Sequence, residues 1–309
     1  MLQNLFTVGQ QVIILFILIA VGFILGRRRI INDTGAGVLT DIVLFVVAPC
    51  VIIQAFQRPY DPSMLRGLLL ALLLAVLVHA VSILFACLCF RDREVARRKV
   101  LRFAAVFSNC GFMGLPLQQA VLGADGVFYC AAFLVAFNVF AWTWGLAMMH
   151  GGGRGALSPR KLILNPGIIG VVIGLVLFLC SVSLPAVIAQ PVGYLAALNT
   201  PLPMLVIGYH LSHANLRRAF SSGACYLCMA LRLLILPLLA LGAMWLCGIR
   251  GTMLVSVVIS TAAPVAALAT MFTAKFKGDT ELSVSLVSAS TLLSIITMPV
   301  VIALAQLLA

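Results

Sequence analysis

"SNCGFMGLPL", residues 108–117, puts an asparagine, two glycines and a proline inside an apolar run that extends from about Phe103 to Leu122. A simple membrane anchor has no use for such residues. Proline removes a helical N–H and clashes with the preceding turn, and glycine weakens helix propagation. In lipid, the backbone groups freed in this way persist only where protein or a water-filled cavity satisfies them. If the run crosses a membrane, its helix is broken at depth, and the break is built into a protein interior.

The composition makes the run a membrane span. The chain has 309 residues, of which 63% are hydrophobic and 9% charged, with a mean hydropathy of +1.18. A soluble domain of this length needs a polar surface that these residues cannot supply. Crossing the hydrocarbon core takes about 20 apolar residues per helix. Ten stretches qualify, at about 6–26, 38–57, 67–90, 101–122, 126–149, 163–183, 193–212, 223–247, 251–275 and 281–307. The fold expected is an all-α polytopic membrane protein of ten transmembrane helices. The first apolar run has no basic segment before it, so a cleaved signal peptide is not expected.

Charge supports the count. Sixteen Lys and Arg fall in the odd-numbered connections between spans, with the densest run at "RDREVARRKVLR" (91–102), against three on the opposite side: Arg58, Arg66 and Arg250. Basic residues collect on the cytoplasmic side, so both termini are expected outside, on the periplasmic face of a bacterial inner membrane. The net charge of +12 is explained by these loops, and no nucleic-acid partner is expected. The nine cysteines lie mostly in apolar stretches, where a thiol acts as a small hydrophobe. Cys87/Cys89 and Cys225/Cys228 lack a second ligand pair, so no metal is expected.

Cutting the chain at "HGGGRGALSPRK" gives two halves, 1–149 and 162–309, with a cytoplasmic connector at 150–161. The second span of each half carries proline, Pro49 in one and Pro201 and Pro203 in the other. The fourth span of each is broken, at "SNCGFMGLPL" and at "STAAPVAALAT" (260–270), and an acidic turn follows each break, "GADG" (123–126) and "KGDT" (277–280). Five is odd, so the halves enter the membrane from opposite sides. This 5+5 inverted repeat is a common plan among secondary transporters. The two breaks are expected to meet near the midplane, where half-helix N-termini carry roughly +0.5 charge each.

With these residues on the page, the chain resembles the auxin efflux carrier family, whose bacterial members are ten-helix carriers. The distinctive match is "SNCGFMGLPL". Further matches are "DIVLFVVAPCVIIQAF" (41–56), "LRLLILPLLA" (231–240) and "STAAPVAALATMFTAKF" (260–276). The long hydrophilic loop of the plant carriers is absent, which points to a prokaryotic member, and auxin itself is not implied. The resemblance implies a scaffold of helices 1, 2, 6 and 7. It also implies a transport domain of helices 3–5 and 8–10 with crossed helices 4 and 9, an elevator-type movement, a homodimer and efflux.

Substrate contacts are expected from Asn109, Cys110, Gly111, Gly114 and Pro116 at the first break, and from Thr261, Ala263 and Pro264 at the second. Asn138 is added because the family uses an asparagine of helix 5 near its substrate; its ordinary alternative is an interhelical hydrogen bond. Arg232, about 14 Å into helix 8 at 1.5 Å per residue, either draws anions or snorkels to headgroups. His79 and Asp41 are the protonatable candidates. The alternatives for them are a hydrogen-bonded structural histidine and a helix cap. His210 and His213 read as helix-end caps, Trp142 and Trp144 as interfacial anchors, and Gly170 and Gly174 as close-packing positions.

All eight carboxylates fall in loops or near helix ends. A carrier of cations places one at the midplane, so the substrate expected is a small organic anion, a carboxylate, moved by a secondary carrier. A proton is the coupling ion that fits, and sodium fits less well. No other cofactor is expected, and lipids and the anion are the partners. Two rivals stay open: a sodium-coupled importer like the bile acid symporters, and a membrane sensor with a vestigial site. An intramembrane enzyme would need a paired catalytic set at one depth, and none stands out.

Overall fold

The computed structural model describes residues 2–150, 164–276 and 278–309, with side chains from Gly9 onward. Apart from His150, the connector expected at 150–161 lies outside the described residues, as does Lys277 of the second acidic turn. Among the described residues the fold is all helical: α1 (Leu2–Arg27), α2 (Asp33–Ala55), α3 (Pro62–Cys89), α4 (Val95–Val106), α5 (Cys110–His150), α6 (Pro166–Leu179), α7 (Ala186–Ser212), α8 (Gly223–Leu246), α9 (Gly251–Ala262), α10 (Leu268–Lys275) and α11 (Thr280–Leu308). Seven of these helices are long and apolar enough to cross a membrane, while α6 and α9 are shorter and apolar. The protein is a polytopic membrane protein.

Helix starts follow from the local sequence. Asn32 accepts from the Gly35 N–H at 2.8 Å and opens α2, and Asp61 accepts from Ser63 N–H at 2.7 Å ahead of Pro62 in α3. Asn165 caps α6 just before Pro166, and Asp279 caps α11 through the Leu282 N–H at 3.0 Å. Each cap satisfies one of the orphan donors of a helix N-terminus, and proline is at home in the first turn. Inside α5, Gly123 takes φ 64° and ψ −149°, a conformation open only to glycine. There the chain turns from the arm 110–122 into the arm 124–150.

The two acidic turns each meet an arginine. Asp125, just past the Gly123 elbow, pairs with Arg58 at 2.6 Å, and Asp279 pairs with Arg218 at 3.1 Å. Arg58 follows α2 and Arg218 follows α7.

Glycine sets how closely the helices approach. α1 packs on α7 through Gly22 and Gly208, where a Cβ on either glycine would overlap backbone of the other helix: Leu205 O in one case, Ile19 O in the other. α6 packs on α2 with Gly170 against Pro49 and Gly174 against Phe56, so the close-packing role expected for both glycines is what they have. Several boundaries differ from expectation. α7 begins at Ala186 rather than near 193 and is interrupted at 198–200, ahead of Pro201 at the start of its second part. Its first part carries Gln190, Pro191 and Gly193, which dilute the apolar signal of the sequence. Trp142 and Trp144 are half-buried, against Phe272 (5.3 Å between rings) and Phe107 (6.1 Å).

Replacing Gly208 with valine is expected to force α1 from α7 and to destabilise the protein by about 1–3 kcal/mol or more, read as a lower melting temperature in detergent. Gly242→Ala, at a position with nothing within 4 Å, is the control and is expected to melt no lower than the unmodified protein.

Candidate functional site

A proline follows the first break and another lies within the second. α4 ends at Val106, and Phe107 leaves helical conformation with φ −99° and ψ 114°. Pro116 cannot donate to the carbonyl of Phe112, and the turn Cys110–Gly114 opens into a π-turn in which the Leu115 N–H reaches the Cys110 carbonyl. In the second break, Ala263 precedes Pro264 and is held extended with ψ 145°, as the residue before a proline must be. α9 therefore stops at Ala262 and α10 starts at Leu268.

The two broken segments pair with one another. Asn109 N–H donates to the Pro264 carbonyl at 2.7 Å, and Ala266 N–H donates to the Phe107 carbonyl at 2.9 Å, forming an antiparallel bridge between Ser108 and Val265. The Val265 N–H between them donates to Ser290 Oγ of α11 at 3.1 Å. Much of the backbone polarity released by the breaks is thereby recovered inside protein.

Arg232 completes the crossing. It is 1% exposed, and it sits in a π-turn of α8, Leu231–Ile235, ahead of Pro237. Its Nη1 donates to the carbonyls of Ala105 (3.2 Å) and Val106 (2.9 Å), and its Nη2 donates to the Thr261 carbonyl. The C-termini of α4 and α9, each the negative end of a helix dipole, thus converge on a single guanidinium. Arg232 does not snorkel, and its two terminal nitrogens are committed to backbone.

Beyond the crossing, α5 and α10 begin with N–H groups that helix geometry leaves without intrahelical acceptors; of these, Ala269 and Thr270 donate to the Ala266 and Ala267 carbonyls at 3.0 and 3.1 Å. A cavity of about 20 Å³ lies here, room for roughly one water. Asn109, Phe112 and Ala267 line it from the crossing, Ser288 and Thr291 from α11, and a stretch of α7 closes it. Asn109 is 6% exposed and its Nδ2 has no partner among the described residues. A buried amide left unpaired in this way costs about 1–3 kcal/mol, and a carboxylate oxygen would supply the missing acceptor.

Other expected residues fall elsewhere. Cys110, Gly114 and Pro116 are buried in the core at the start of α5, and Gly111 is half-buried, with Leu134 3.8 Å from where its Cβ would stand. Ala263 and Pro264 are buried, contributing backbone alone to the crossing. The hydroxyl of Thr261 is turned back on its own helix, donating to the Val257 carbonyl at 2.7 Å. Asn138 donates to the Leu134 carbonyl (2.8 Å) and accepts from Asn165 (2.9 Å), so it is tied to the cap of α6.

His79 is 1% exposed, with Nδ1 2.7 Å from the Ala75 carbonyl and its ring stacked on Phe140 at 5.3 Å and near Phe133 at 5.1 Å. A carbonyl can only accept, so Nδ1 carries the proton, and the surroundings are those of a structural histidine. Asp41 is exposed, eight residues past the start of α2, and does not cap that helix, because Asn32 does. Ser288, Thr291, Ala267 and His210 were not read as site residues from the sequence. The spacing of Ser285, Ser288 and Thr291 was the available signal for α11, since positions three apart share a helix face.

Arg232→Met is expected to strand three buried carbonyls at about 1–3 kcal/mol each. The expected result is a sharp loss of folded protein and of melting temperature, partly recovered by Arg232→Lys. An Arg232→Met protein that melts like the unmodified one would show that the clamp is dispensable.

Comparison with known proteins follows from this geometry. A family profile described as membrane transport protein matches residues 7–302. A transporter of uncharacterized activity from Methanothermobacter thermautotrophicus is 27% identical over 294 residues, covering 94% of this chain and 96% of that protein. A second, from Methanocaldococcus jannaschii, is 24% identical over 67% of this chain and 70% of its own length. A protein of Rhizobium meliloti, named as a candidate malonate transporter, is 22% identical over 66% of each chain.

Proposed function

The chain belongs to the membrane transport protein family, that of the auxin efflux carriers, and from that premise we propose that it is a secondary carrier of a small carboxylate. It is a transporter and not an enzyme, as its family and relatives are. The observation that carries the proposal is Asn109: a buried, unpartnered amide lining a cavity where two helix N-termini open. Neutralising the opposite, negative helix ends with Arg232 leaves the cavity side with net positive polarity, and no carboxylate lines it. An anion is the substrate class that such a site prefers. The name of the Rhizobium meliloti relative supports a dicarboxylate of malonate size as the first to try.

In this reading the chain crosses the membrane ten times as a 5+5 inverted repeat. The broken crossings are 95–122 and 251–275, and 124–150 forms a crossing of its own beyond the Gly123 elbow. Support comes from the matched pairs Arg58–Asp125 and Arg218–Asp279 and from the antiparallel meeting of the two breaks. The packing of α1 on α7 and of α2 on α6 supports a scaffold of these four helices, against which the remaining helices move as an elevator. The outward face of α2, with Phe45 62% and Val38 53% exposed, is available for a homodimer or for lipid. Efflux is the direction assigned, with both termini on the outer side and a proton as coupling ion in preference to sodium.

Proteoliposomes loaded with radiolabelled malonate and other small carboxylates, with and without imposed proton and sodium gradients, provide the test. Saturable flux is expected, accelerated by a proton gradient. Asn109→Ala is expected to lose about tenfold or more of it, which corresponds to about 1.4 kcal/mol. Absence of flux for every carboxylate would sink the carrier reading and favour a sensor.

A further inference from the structure

Each cation and each histidine described inside the bundle has a defined use, with one exception. Arg232 is spent on three carbonyls, and His79 is sealed among phenylalanines. His213 ends α7 with its Nδ1 2.9 Å from Ser212 Oγ and 3.2 Å from the Tyr209 carbonyl. His210, one turn earlier, lines the cavity beside Asn109, and its ring makes no hydrogen bond to the described residues. It is exposed, and it stands two residues from the end of α7, at the rim of the cavity. Among the lining residues it is the one titratable side chain.

We infer that His210 is the cationic partner of the substrate carboxylate, charging as the anion binds, so that binding takes up a proton from water. The inference rests on the carboxylate-carrier reading above and deepens it. The site offers dipoles and neutral donors, from Asn109, Ser288 and the two helix N-termini, but no full charge apart from His210. A carboxylate leaving water for a site of low dielectric needs a paired charge, and a charge-assisted bond is roughly twice as strong as a neutral one.

The charged and titratable groups around His210 come from α1, α2 and the end of α7. α11 and the crossing present only uncharged groups to the cavity. From α2, Asp33 accepts a hydrogen bond from the Tyr209 hydroxyl at 2.6 Å, and His213 stands just past the end of α7. Arg27, at the end of α1, is turned over the Phe23 ring at 5.7 Å. Location matters as well: His210 belongs to α7, whereas Asn109 belongs to the crossing. The two ends of the anion are thus held by parts that the proposed movement separates, and the proton is taken up only while both face one cavity.

The sign of the pH dependence follows. Binding an anion beside the imidazole favours its charged form, so affinity is full below the pKa of the ligand-free imidazole. It then falls by up to about tenfold per pH unit above that value. The test is binding of radiolabelled malonate, succinate and lactate to the full chain in nanodiscs at about pH 6 and about pH 8, with His210→Gln, His210→Lys and Asn109→Ala beside the unmodified protein. Titration of the ligand itself is common to all four proteins and cancels in their ratios.

The unmodified protein is expected to bind at least about tenfold more tightly at the lower pH. His210→Gln should be weak at both, and His210→Lys should remain tight at the higher pH. His210 is at a cavity rim, and equal melting temperatures of the variants serve as the folding control. If Asn109→Ala abolishes binding while His210→Gln keeps the full pH response, the inference is overturned and the carrier reading stands. If no carboxylate binds to the unmodified protein at either pH, both fall.

Discussion

Two interrupted helices meet backbone to backbone, and the rest of the structure is arranged to make that meeting affordable in a membrane. Extended backbone at membrane depth leaves polar groups that each cost several kcal/mol in hydrocarbon. Here the segments about Ser108 and Val265 satisfy one another, Ser290 takes a third N–H, and Arg232 collects the carbonyls at the ends of α4 and α9. The result is polarised. Negative helix ends are bound to a buried cation, while the positive ends of α5 and α10 open beside a small cavity they share with α11 and α7. The anion preference proposed for the site would then be a consequence of how the fold protects its own backbone.

The cavity holds about one water, so the proposed carboxylate would need α7 and the crossing to part. The tight α1–α7 contact at Gly22 and Gly208 resists movement within that pair. The proposed displacement would therefore fall between α7 and the crossing, whose segments are joined to α11 and α8 by Ser290 and Arg232. A ligand shifts such an equilibrium only by its differential affinity for the two arrangements, and unpaired Asn109 Nδ2 is a group whose energy changes on binding.

Much of this was legible in the sequence, because proline and glycine act locally. The breaks at Pro116 and Pro264, the elbow at Gly123 and the close contacts of Gly170 and Gly174 depend on what those residues do to their own turns. What the sequence concealed was direction. Asn138, Thr261, His79 and Arg232 are polar residues in apolar runs, and each is equally compatible with a ligand or with an internal hydrogen bond. Only the fold shows Thr261 turned to Val257, Asn138 tied to Asn165 and Arg232 clasping carbonyls. His210 was concealed for the opposite reason: close to a helix end it reads as a cap, and its neighbour across the cavity, Asn109, lies 101 positions away in the chain.

The central claim is that the ligand sits at the crossing, against the Asn109 amide and the first-turn N–H groups of α5 and α10. Solid-state NMR of the protein in lipid, labelled with 15N, would follow the Asn109 side-chain amide and the backbone N–H groups of Gly111 and Leu268 as malonate is added. The account predicts saturable shifts at these groups together, with none at the Asn138 side chain. Saturable shifts confined to Asn138 and Asn165, with the Asn109 amide unmoved, would contradict it.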